Sequence, residues 1–96
     1  MKPSQALAQH RASVRSAVQR YRLSNPRVFG SVLQGRDTED SDLDLLVDPE
    51  PGTTLFDLGG LQEELEQLMG LRVDVLTPRD LPPSFREQVL AEARPV

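Results

Sequence analysis

Asp42 and Asp44 stand two residues apart, and ten residues separate the first of them from the pair Gly30-Ser31. In an extended strand the side-chain period is two, so both carboxylates point to one face, with α-carbons roughly 6.5–7 Å apart. Carboxylates at that separation can share one or two hard cations, which prefer oxygen ligands. A glycine then a serine at the start of a turn offers close backbone approach and free N–H groups to phosphate oxygens. Phosphoryl and nucleotidyl transfer depends mostly on positioning and charge stabilisation, and this combination suits it. Asp42 and Asp44 are therefore the candidate metal ligands, and Gly30 and Ser31 the candidate triphosphate-binding pair.

A third acid, Asp74, lies inside the apolar run Val73-Asp74-Val75. Buried strands rarely carry a lone carboxylate. If the strand of Asp74 lies beside that of Asp42 and Asp44, all three can meet. Asp74 then holds the first metal and takes, or helps shed, the proton of the acceptor hydroxyl. If it does not, Asp74 is an edge charge facing water. Arg36 is either a phosphate contact or a surface arginine. Two competing motifs fail. Gly30 and Gly35 have P-loop spacing, but Arg36-Asp37 replaces the required Lys-[Ser/Thr]. Asp40, Asp42 and Asp44 open like a calcium loop, yet Leu45 occupies the glycine position and Pro51 the glutamate position. His10 reads as a surface residue, and Tyr21 and Phe29 as core with no platform for stacking bases.

The elements that must position these groups follow from periodicity. Ser4 is a candidate cap for a helix to about Tyr21 with Leu7, Val14, Val18 and Tyr21 on one face, stopped by Asn25-Pro26. Arg27-Val28-Phe29 is a short strand ending at Gly30, and residues 31–35 are one helical turn. Asp42 to Asp48 is a second strand, apolar on both faces and so central. A second helix from Thr54 carries Leu55, Leu58, Leu61, Leu65 and Leu68 and ends at Gly70; Gly59-Gly60 weakens it and suggests close packing there. Leu71 to Leu76 is a third strand. Ser84 to Glu87 forms a capping box for a last helix with Phe85, Val89 and Leu90. Eleven residues are few for a parallel crossover, so the first two strands are expected antiparallel; the second and third, joined through a helix, can be parallel. The fold class is α+β: a small mixed sheet with helices on one face.

The chain has 96 residues, a formal net charge of −4 and no cysteine. That size implies one domain, residues 1–96, with a modest core. The charge argues against broad attraction to nucleic acid, and disulfides and thiolate metal sites are excluded. With neither an apolar signal core nor a run of membrane length, a cytoplasmic, soluble domain is expected. Residues 1–36 carry bases and no acid, whereas residues 37–50 carry acids and no base. Asp37, Glu39, Asp40 and Glu50 read as a solvated acidic loop.

With Gly30-Ser31, Gly35, Ser41 to Val47 and Val73-Asp74-Val75 in view, the chain resembles the minimal nucleotidyltransferases (MNT) of the DNA polymerase β superfamily. More narrowly, it is similar to the MNT antitoxins encoded with HEPN-domain toxins. The signature Gly-Ser, ten residues, Asp-x-Asp fits without a gap, and the likeness extends over nearly the whole chain. Leu33-Gln34 stand where many relatives have a small and then a basic residue. The resemblance implies a polymerase β-like fold, magnesium as cofactor and ATP as donor. It implies AMP transfer to a tyrosine of a HEPN ribonuclease partner, with Gly30 and Ser31 on the triphosphate and Asp42, Asp44 and Asp74 on the metal. A chain this short leaves no room for an acceptor-holding domain, so the acceptor is expected to dock as a separate protein against an acidic rim. The alternatives are a non-catalytic antitoxin that covers its toxin, and transfer to a small molecule or RNA end.

Overall fold

Four strands form one mixed sheet in the computed structural model, which describes every residue from Met1 to Val96. The order along the chain is α1 (Pro3–Arg20), β1 (Leu23–Phe29), β2 (Leu43–Pro49), α2 (Leu55–Met69), β3 (Val73–Leu76), a 3₁₀ turn (Pro78–Asp80), α3 (Arg86–Glu92) and β4 (Arg94–Pro95). Across the sheet the strands run β3-β2-β1-β4. β1 and β2 are antiparallel, and β2 and β3 parallel, as expected from their connections. β4, two residues long, adds a short antiparallel edge that the sequence did not announce.

Helices α1 and α2 pack together and against one face of the sheet. Alternation along β2 sends Leu43, Leu45 and Val47 to that side, where they join Val28, Val73, Val75, Val14, Val18, Leu61 and Leu65 in the core. Tyr21 packs on this core, and a Cβ at Gly60 would stand 2.7 Å from its ring, which accounts for one glycine of the Gly59-Gly60 pair. Leu55 is not part of the buried stripe; it and Phe56 are 85% and 90% exposed at the start of α2. The outer edge of β3 is closed by α2 side chains: the Val73 N–H donates to Glu66 Oε2 (3.0 Å) and the Val75 N–H to Gln62 Oε1 (3.4 Å). No helix is long and apolar enough to cross a membrane.

Several local expectations need correction. Pro3 occupies the first helical position of α1 and Lys2 its cap, so Ser4 lies inside the helix rather than capping it. The Ser4 N–H instead donates to Asp37 Oδ2 (2.8 Å), a distant carboxylate serving the helix terminus. Asp37 is consequently buried, not solvated, and this hydrogen bond foremost holds its carboxyl below its ordinary value. Helix α1 ends before Asn25-Pro26; Arg22 takes the left-handed conformation (φ 59°), and Asn25-Pro26 falls at a register shift within β1. Helix α3 begins at Arg86 with Phe85 at its cap, without a Ser84 side-chain bond.

Candidate active site

The site lies at one end of the sheet, where β1 finishes and β2 and β3 begin. In the ladder Asp44 is the direct partner of Asp74 on β3 and of Phe29 on β1. Paired residues share a face, so Asp44, Asp74 and Phe29 all stand opposite the helix-packed core. Asp42 immediately precedes β2, and the Leu43 N–H donates to the Arg72 carbonyl (2.9 Å), drawing the starts of β2 and β3 together. Asp44 and Asp74 thus stand side by side on one face of neighbouring strands, with Asp42 just before the first of them.

Their mutual charge is visible in Asp44. Burial first, then the charges of Asp74 and Asp42, push its carboxyl up to about 6. Arg72 is the only cation paired with the cluster, and its Nε stands 3.9 Å from Asp42 Oδ1, on a largely exposed side chain. The arrangement therefore remains short of positive charge. No three acidic or histidine side chains stand close enough together to hold a metal ion as a protein-only site. Magnesium does not demand one, since it is usually held by one or two carboxylates, with water and substrate phosphates filling the octahedron. The donor set fits: hard oxygens, two strands, and a carboxyl whose proton affinity its neighbours raise.

Gly30 connects this cluster to the adjacent turn. Its φ is +74°, and a Cβ there would fall on Asp44 Oδ2, so only glycine lets the backbone lie against the carboxylate. Residues 30–36 form the expected helical turn, with Gln34 N–H to Gly30 O (3.1 Å) and Arg36 N–H to Ser31 O (2.9 Å). Gly35, at φ +69°, lets the chain leave it. The N–H groups of Ser31, Val32 and Leu33 have no partner within the chain and can receive anionic oxygens. Arg36 is exposed and borders a surface cavity with Leu33 and Ala91 to Arg94, unpaired with any of the three acids. Phe29 is half-buried and outside the core, contrary to the sequence expectation. It lines a second cavity, with Gly30 and Phe85, which the sequence reading missed; an aromatic immediately before the glycine was the available signal.

Comparison with known proteins agrees with this geometry. Residues 8–96 match the nucleotidyltransferase domain family. Protein adenylyltransferase MntA of Thermococcus cleftensis is 38% identical over 86 residues, spanning 90% of this chain and 84% of the relative. A solved structure provisionally described as a minimal nucleotidyltransferase is 48% identical and superposes with a TM-score of 0.87, over 97% of this chain and 95% of that one. A toxin–antitoxin crystal structure with AMP-PNP shares the fold at a TM-score of 0.70 and 18% identity, over 97% of this chain and 71% of its counterpart. The chain belongs to the nucleotidyltransferase domain family, as an enzyme with the fold of a minimal nucleotidyltransferase.

Proposed function

We propose that this protein is a magnesium-dependent adenylyltransferase that transfers AMP from ATP to a tyrosine hydroxyl of a HEPN-domain ribonuclease toxin, and so acts as its antitoxin. The observation that carries this reading is the ladder pairing of Asp44 with Asp74, with Asp42 alongside and the Gly30 turn in contact. The similarity to an adenylyltransferase over 90% of the chain supports the donor and the protein acceptor.

In this reading the free N–H groups after Gly30, with the Ser31 hydroxyl, bind the β- and γ-phosphates. Asp42 and Asp44 hold the magnesium ions, and Asp74 completes the first site. Bound magnesium supplies the positive charge needed by the attacking oxygen and by the departing pyrophosphate. The tyrosine oxygen attacks the α-phosphorus, a P–O bond forms, and the bond to the β-phosphate breaks. The hydroxyl proton passes to Asp74 or through it to water. The chain's single tyrosine, Tyr21, lies at the opposite end of β1 with its hydroxyl donating to Glu64 Oε1 (3.2 Å), so it does not serve as the acceptor. A separate protein supplies it, and the acidic surface beside Asp42 complements a basic ribonuclease site.

The test is incubation with labelled ATP, magnesium and a cognate HEPN protein. Label on the partner is expected with wild type and absent with Asp42→Asn. If the Asp42→Asn/Asp44→Asn protein still rescues growth at equal abundance, neutralisation works by binding and the enzymatic antitoxin reading fails.

A further inference from the structure

We propose that the cavity between the Gly30 turn and α3 is the seat of the donor's nucleobase, with Phe85 as its stacking surface; this rests on the nucleotide-transfer reading above. The cavity measures about 430 Å³, within the range of ~300–1,000 Å³ that small-molecule sites occupy. Phe29 and Gly30 form its floor, and Phe85, Gln88 and Val89 its far wall. Phe29 is the ladder partner of Asp44, so the cavity opens beside the carboxylates and shares Gly30 with the phosphate-receiving turn. A nucleotide whose phosphates lie on that turn can turn its base into this space.

Its chemistry suits a heterocycle. Phe85 is 45% exposed, which is wasteful for packing but useful for stacking. Gln34, Gln88 and Glu92 at the rim offer both donors and acceptors to a base edge. The backbone that carries Phe85 is held: its N–H donates to the Pro82 carbonyl (3.2 Å), and Arg86 Nη2 donates to the Leu81 carbonyl (2.9 Å). The acceptor has its own approach on the other side, where Asp74 stands on edge strand β3.

The sequence contains no tryptophan, so Phe85→Trp introduces a single reporter. Its emission is expected to be quenched saturably by ATP with magnesium, and not by inorganic tripolyphosphate with magnesium. Phe85→Ala, at a partly exposed position outside the core, is expected to weaken ATP binding about tenfold by calorimetry. Tripolyphosphate affinity should not change. Wild-type affinity for ATP in Phe85→Ala, or an equal loss of ATP and tripolyphosphate, overturns the assignment. If wild type labels the toxin while Phe85→Ala keeps its ATP affinity, the cavity assignment alone fails. If ATP quenches the tryptophan but no toxin is labelled, the cavity assignment stands and the acceptor reading fails. Absence of any ATP binding by wild type overturns both.

Discussion

Asp44 and Asp48 lie on the same face of β2, four residues apart, in opposite surroundings. Asp48 accepts hydrogen bonds from Arg27 Nη2 and from Asn25 Nδ2 (3.0 Å), both on the neighbouring strand. The left-handed Asn25 (φ 52°), at the register shift of β1, contributes one of these donors. Asp44 has Asp74 beside it, Asp42 before it, and a glycine backbone pressed against it. One carboxylate is neutralised by its own fold; the other gathers negative charge that a proton or a bound cation can offset. Within a single strand, then, internal pairing marks a structural acid, and its absence marks the candidate for chemistry.

The largest expected contrast is catalytic. Asp44→Asn should lower transfer to the partner on the order of a thousandfold, whereas Asp48→Asn should leave it nearly unchanged, measured with labelled ATP. The metal-free Asp44→Asn protein should melt higher than wild type, because repulsion is relieved, and lose any stabilisation by magnesium. A wild-type melting temperature indifferent to millimolar magnesium, with and without ATP, would sink the metal assignment.

Glycines separate the same two environments at the next level. Gly30→Ala must strain a positive φ and displace the Asp44 carboxylate, so a loss of ~2–4 kcal/mol in urea unfolding is expected, together with loss of nucleotide binding. Gly35→Ala, with the same kind of φ but open space at its Cβ, should lose only about 1 kcal/mol. Smaller still is removal of the Asp48 partner: Arg27→Ala should cost about 1 kcal/mol and leave transfer intact.

Acid sharpens the contrast using Asp37 and Asp44. Asp37 sits below its ordinary value of 3.8 in the fold, so its contribution is present above that value and lost as pH falls through the depressed one. Asp44 is raised to about 6, so its own contribution to metal-free stability is most favourable below 3.8 and is lost as pH rises through about 6. Thermal melts in chelator should show Asp44→Asn abolishing the decline towards neutrality, and Asp37→Asn abolishing part of the loss in acid.

The acidic face was readable in the sequence because strand alternation and the Gly-Ser spacing are local signals. Asp42 and Asp44 needed only period two, and the antiparallel and parallel pairings followed from connection length. Asp74 required a tertiary step, the adjacency of β3 and β2, which the connecting helix made available. What escaped notice depended on partners distant in sequence. Asp37 looked like loop charge because the helix terminus it serves lies thirty-three positions away. Phe29 looked like core because alternation does not reveal which face of a thin sheet is left uncovered. β4 is too short for any periodic signature, and Leu55 repeats at helical spacing yet falls beyond the packed stripe.

The side chains of Gln62 and Glu66 occupy the hydrogen-bonding positions along the free margin of β3. A visiting polypeptide therefore has no ladder to extend beside Asp74. If the acceptor is a protein, as proposed, it must come face-on, through a projecting side chain carried by a folded surface. That geometry keeps an extended peptide from adding a strand beside Asp74.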